Sequence, residues 1–253
     1  MNGKLRLAAS LSHGKTVAED IFFTPPFKLY SPFYEENTAK FISMCAAAGV
    51  LAGDSHHISL DIGEGCDVHF TDQGYQKLFD TDGGSSAQRV DISVGANAVL
   101  KYLPHPVMTF GGCVHRAVNN VDIRSDSRLV FGEIYCCGRT AMGEEFALER
   151  FSSRTEIRID GRADFIDNTL IEPKKLPVRG LGFFEGFTHT GILYVYSSDR
   201  DKLCGDICAE CEKHADKLSA ACSRTERGLS VRALGTSGED IFELFMQISD
   251  MAK

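Results

Sequence analysis

The chain has 253 residues, 43% of them hydrophobic, and a formal net charge of −8 at pH 7. That is enough apolar material for a substantial core, and an acidic balance with no basic run beyond Lys174-Lys175 argues against nucleic acid as the main partner. No apolar stretch nears the roughly 18 to 20 residues that span a bilayer, and no signal core follows Met1, so neither membrane nor secretion is expected and a cytoplasmic location is.

In chain order, His13-Gly14-Lys15-Thr16 ends like a phosphate-binding loop, but Ala9 stands where that motif needs glycine and no strand-to-helix context surrounds it. Thr38 to Ala48 suits either a helix or a strand. A repeated pattern then begins. His57 to Ile62 alternates polar and apolar, Gly63-Glu64-Gly65 turns the chain, and Cys66 to Phe70 alternates again. The pattern returns at Asp91 to Val94 and Val99 to Tyr102, then at Asp122 to Arg124 and Leu129 to Phe131. A looser fourth copy is Glu156 to Ile159 with Phe165-Ile166. Turns centred on residues 64, 96, 126 and 161 lie 32, 30 and 35 residues apart. Such a period predicts a mainly β fold, a β-helix or solenoid-like stack of strands, with an evenly spaced β-sandwich as the alternative. Asp80 to Ser86 is expected to be a long exposed turn.

Past residue 200 the period changes. Leu203, Ile207, Cys211, Leu218 and Cys222 fit one helical face ended by Gly228, a strand runs from Leu229 to Leu234, and Ser237 caps a second helix with Ile241, Leu244, Phe245, Ile248 and Met251 as its buried stripe. No linker divides the chain, so a single domain over 1–253 is expected, β-rich over 1–200 and α/β over 201–253.

Few motifs suggest chemistry. Cys204-x3-Cys208-x2-Cys211 is spelled like the iron–sulfur motif of radical SAM enzymes, but it lies in a late helix with no alternating βα pattern elsewhere. With His214 these cysteines could offer a soft metal one helical face; the plainer expectation is that all nine cysteines are reduced, packed residues. His56 and His57 alternate along a strand and so cannot chelate together. Asp61, Asp91 and Asp122 recur in the repeat, as a β-helix polysaccharide hydrolase or lyase would require of its carboxylates. No nucleophile elbow or Cys-His frame is present. The remaining polar groups lie beside glycines: Gly49-x3-Gly53-Asp54, Thr71-x-Gln73-x3-Lys77, and Glu133 followed by Gly138-Arg139-x3-Gly143-Glu144.

In this order, together with Thr24-Pro25-Pro26-Phe27-Lys28-Leu29, Pro104-His105-Pro106-x3-Phe110, Asp167-Asn168 and Val231-Arg232-Ala233-Leu234-Gly235, these residues resemble the UreD (UreH) family of urease accessory proteins. The resemblance implies a β-helical, non-enzymatic scaffold. It would form a hetero-oligomer with UreF, engage the GTPase UreG through that pair, dock on apo-urease and assist nickel insertion. Nickel would pass transiently, with no tightly bound cofactor. Carboxylates in or near matching motifs, Asp54, Glu133, Glu144 and Asp167, become candidates for metal transfer or docking. Thr71, Gln73, Lys77 and Arg139 become their supports. Cys204, Cys208, Cys211 and His214 match no family motif, and they remain the basis of a different reading, a stand-alone metal-binding protein.

Overall fold

A computed structural model describes residues 1–252. It opens with an antiparallel hairpin, β1 (Asn2–Ser12) and β2 (Lys15–Phe23). Only His13 and Gly14 close it, both at positive φ. That is the type I′ geometry whose twist suits a two-residue hairpin, so the stretch that ends like a phosphate loop is a hairpin turn. The short strands β3 (Phe27–Leu29) and β4 (Phe33–Glu35) pair antiparallel with β5 (Thr38–Cys45), which settles the ambiguous stretch as a strand.

Three coils follow. The first is β6 (Ser55–Ile62), β7 (Asp67–Asp72) and β8 (Gln76–Leu78); the second is β9 (Ser86–Val94), β10 (Val99–Tyr102) and β11 (Val107–Thr109). The third is β12 (Val114–Ile123) and a long β13 (Arg128–Cys136) that serves both remaining faces. Each coil passes from one sheet to the other through the turns at 63–65, 95–97 and 124–126. Successive coils pair parallel, Ile58 with Val90 and Val90 with Asn119 in one sheet, Val68 with Leu100 and Leu100 with Leu129 in the other. Parallel stacking in register is the mark of a solenoid and not of a sandwich.

The fourth copy departs from this. β14 (Arg150–Ile159) and β15 (Arg162–Ile171) are antiparallel neighbours in one sheet, closed by Asp160 and Gly161 at positive φ. The Asp-Gly pair makes a type I′ hairpin where the spacing predicted another crossing between sheets. β16 (His189–Tyr196) then joins β13 antiparallel, followed by α1 (Arg200–Lys213), β17 (Leu218–Arg224), β18 (Leu229–Gly235) and α2 (Gly238–Met251). The first sheet thus runs β15-β14-β12-β9-β6-β1-β2 and the second β17-β18-β16-β13-β10-β7-β5-β3.

The core lies between them, built of in-register rows. Leu7, Leu60, Ile92, Val121 and Ile157 form one on the first sheet. Phe41, Phe70, Tyr102, Phe131 and Tyr194 face it from the second, with Phe70–Tyr102 and Tyr102–Phe131 ring centroids 5.6 and 5.0 Å apart and nearly parallel. α2 covers the outer face of the second sheet with Ile241, Leu244, Phe245 and Ile248 buried, while Met251 is only partly so. A Cβ on Gly191 would meet Ile241 at 2.7 Å and Phe245 at 2.9 Å, so glycine there sets how closely the helix approaches. Ser237 accepts a hydrogen bond from the Asp240 amide, the expected N-cap. No helix among the described residues is long and apolar enough to cross a membrane.

Candidate functional site

Moving along the strands from these rows, the apolar pattern breaks. The row Leu5, Ile58, Val90 continues as Asn119, Thr155 and Asp167. On the opposing sheet, Ser43 pairs with Asp72, and Glu133 lies two residues beyond Phe131 as Asp72 lies two beyond Phe70. The two polar stretches border a cavity of about 440 Å³ whose lining includes Ser43, Asp72, Gln88, Asn119, Glu133 and Tyr135.

Two carboxylates in it carry the electrostatics. Asp72 accepts a hydrogen bond from the Ser43 hydroxyl, but burial outweighs that bond and pushes its pKa up to about 6. Glu133 accepts from the Asn119 amide at 2.8 Å and the Thr155 hydroxyl at 2.6 Å. Burial pushes its carboxyl up as well, against those hydrogen bonds and reinforced by the negative charge of Asp167. Among the described residues neither carboxylate forms an ion pair with Lys or Arg. A buried carboxylate without a cation is costly when ionised, so this cavity favours a proton or a metal ion. His105 Nδ1, on a residue lining the cavity, has no hydrogen-bond partner among the described residues.

The structure divides the remaining candidates. Asp167 is buried beside this site and is held by Arg232 at 2.5 Å and by the Thr169 hydroxyl at 2.9 Å. Thr71 donates to the Leu103 carbonyl at 2.7 Å, fixing β7 to the next coil. Gln73 and Lys77 line the cavity, yet Lys77 pairs with no carboxylate among the described residues, contrary to the support expected of it. Arg139 does pair as expected: it grips Glu144 through Nε at 3.1 Å and Nη2 at 2.6 Å. That bidentate bond and the Gly111 amide hold the Glu144 carboxyl below its usual range. This unit lies outside the cavity, on the loop after β13. Asp54 is also outside. It accepts from the Leu51 amide at 2.9 Å and from the Met1 ammonium, and these contacts hold its carboxyl low despite the opposing effect of partial burial.

Asp72 was missed in the sequence although it occupies the open position of Thr71-x-Gln73. A signal existed in Phe41-x-Ser43, Phe70-x-Asp72 and Phe131-x-Glu133, an aromatic followed two residues later by a polar side chain on β5, β7 and β13 but not on β10, where Pro104 follows Tyr102. It becomes visible only when the coils are aligned.

The other expectations sort in the same way. Asp61 and Asp122 share a row with Ser93 on the outer face, but Asp91 is displaced from that row by two residues, pairing with Ser59 and Asn120. Asp91 is engaged by Arg89, Asn120 and His57. His56 is buried edge-on against Phe27 while the next residue, His57, reaches that outer face. α1 ends at Lys213, so Leu218 and Cys222 belong to β17 and not to the helix. Cys211 is buried under α1 and His214 Nε2 contacts Gln247 Oε1 at 2.8 Å, so the four-residue ligand set does not assemble. Instead, the sulfurs of Cys204, Cys208 and Cys222 all lie within 4.8 Å of one another.

Comparison with known proteins agrees on a family. The model of the UreD urease accessory protein family matches residues 1–253. A protein of Helicobacter pylori (strain P12) named urease accessory protein UreH is 34% identical over 188 residues, covering 74% of this chain and 71% of that protein. A urease accessory protein UreH of Helicobacter pylori (strain G27) is 30% identical over 249 residues, with 97% and 93% covered. The urease accessory protein UreD of Acetivibrio thermocellus is 29% identical over 251 residues, with 98% and 96% covered.

Proposed function

Since the chain belongs to the UreD urease accessory protein family, we propose that it is a non-enzymatic cytoplasmic scaffold that pairs with UreF, recruits the GTPase UreG, docks on apo-urease and assists nickel insertion. The observation that carries this reading is the inter-sheet cavity with Asp72 and Glu133 half-buried and, among the described residues, without a Lys or Arg partner. Oxygen donors bind a borderline divalent ion more weakly than thiolates do, which suits cargo that must leave again. A carboxyl whose pKa is raised by burial holds its proton more tightly than a solvated one, so proton and metal ion compete for the same oxygens. Asn119 and Thr155 hold Glu133 in position from the opposite sheet. Asp54 and Glu144, outside the cavity, take the docking role, and GTP hydrolysis is left to UreG.

The test is urease matured in cells co-expressing UreF, UreG and either the wild-type chain or Glu133→Gln. The amide keeps the size and most hydrogen bonds but removes the charge. Nickel per active site should fall severalfold while UreF still co-purifies. Normal nickel content with a normal complex would remove Glu133 from the route. The isolated chain should turn over GTP no faster than background, far below the roughly 1 s⁻¹ that marks the low end of ordinary enzymes.

A further inference from the structure

Three half-buried cysteines meet where α1 packs on β17. Cys204 and Cys208 are one helical turn apart and so project from the same face, and Cys222 rises from the strand beneath. Their sulfurs lie mutually within 4.8 Å. A tetrahedral zinc site with Zn–S near 2.3 Å sets its sulfurs about 3.8 Å apart, so side-chain rotation of under an ångström or so closes the set. The backbone is already held in place, because Leu203, Ile207 and Cys211 of α1 and Leu218 of β17 share one buried cluster with Val231 and Leu244. A separate cavity of about 560 Å³ adjoins Cys208 and Cys222, with Glu212, Asp216 and Lys217 also lining it.

We propose that Cys204, Cys208 and Cys222 form a thiolate site for a single Zn²⁺ ion, with the fourth coordination position open to that cavity for water or an external donor. Cys211 also lines that cavity but is buried and does not belong to the set of mutually close sulfurs, and His214 contacts Gln247, so the ligand set on the helix alone does not assemble. Three sulfurs gathered on one side of an ion suit a d¹⁰ cation, which has no electronic geometric preference. They suit poorly a square-planar one. Each thiol that binds the ion releases its proton, so binding tightens as pH rises. The site lies on the outer helical layer and not on the inter-sheet cavity, and it stands independently of the function proposed above. Its structural effect is to bolt α1 to β17 at the end of the second sheet.

The test uses the reduced, full-length chain under anaerobic conditions, with Co²⁺ as the spectroscopic probe and Zn²⁺ as competitor. Expected are one ion per chain, an intense near-ultraviolet thiolate-to-cobalt band with tetrahedral visible bands, and their loss when Zn²⁺ is added. Cys222→Ser should weaken Co²⁺ binding by at least the roughly 10- to 100-fold that loss of an outer-shell partner costs, whereas His214→Gln should leave the spectrum unchanged. The opposite pattern, or a wild-type chain without a thiolate band, overturns the proposal. Should Cys222→Ser not fold, alkylation of the wild-type chain decides the matter. Zn²⁺ must protect Cys204, Cys208 and Cys222 together, and protection of any other trio, or of none, overturns it.

Discussion

Asp72 keeps a carboxyl in the interior with only the Ser43 hydroxyl for company, and that cost is measurable. Its pKa in the fold, about 6, lies above the 3.8 of an unperturbed aspartate. The folded state therefore holds the proton more tightly than the unfolded state. The stabilising contribution is fully present below about pH 4, falls as pH rises through about 6, and is flat beyond. A shift of about two units corresponds to roughly 3 kcal/mol. Asp72→Asn should consequently raise stability at pH 7.5 by about 1 to 3 kcal/mol and remove that part of the pH dependence, as read by urea denaturation between pH 4 and 8. A midpoint unchanged at pH 7.5 would mean the carboxylate is better solvated than its surroundings indicate. Glu144 behaves oppositely, its charge held by Arg139 on a partly exposed loop where an ion pair adds little stability. Glu144→Gln should leave Tm almost unmoved yet weaken UreF retention in a pull-down, with nickel per assembled complex unaltered. Of these residues, Glu133, Glu144 and Asp167 could be picked out in the sequence by their place in family-like motifs. Asp72 could not, because its partners Ser43 and Glu133 are 29 and 61 positions away and only coil alignment unites them.

At the level of elements, success and error share a cause. Residues 218 and 222 are four apart, a spacing that satisfies both a helical face and a strand of period two. The pattern of α1 thus ran on into β17 in the sequence reading, and the chain reversal at His214 to Lys217 carries no Gly or Pro to mark it. The Asp160-Gly161 pair was read as one more bend between sheets although it is the stronger sign of a hairpin. α2 was read well because a strong N-cap and a clean apolar stripe coincide there. Ser237→Ala removes the cap bond to the Asp240 amide and should cost about 1 kcal/mol, a Tm drop of about 2 to 4 °C for a chain of this size. Calorimetry showing no drop would mean that packing alone holds the first turn.

Across the whole molecule, the polar cavity and the three-thiol cluster occupy different layers, the first between the sheets, the second between α1 and β17. The double variant Cys204→Ser/Cys208→Ser should therefore abolish tight Zn²⁺ binding while urease matured with it keeps its nickel; loss of both would join the two sites functionally. The repeat period made the stacked architecture readable in advance, since each coil needs its neighbour to bury the same apolar rows. Its ends were not readable, because there the pairing changes direction while the alternation of residues does not.

Those ends have a consequence for how such a chain can vary. In both sheets the parallel block is flanked by antiparallel strands, β2 and β15 in one, β3 and β16 in the other. A duplicated coil cannot be added at either terminus without displacing a hairpin, so growth is possible only by insertion inside the block. Each inserted coil would separate strands by a further 4.8 Å or so, and between β7 and β13 it would move Asp72 away from Glu133 by that step. The number of coils is a ruler for the spacing of the two acids, and inserting or deleting one there changes the gap between them in whole strand widths.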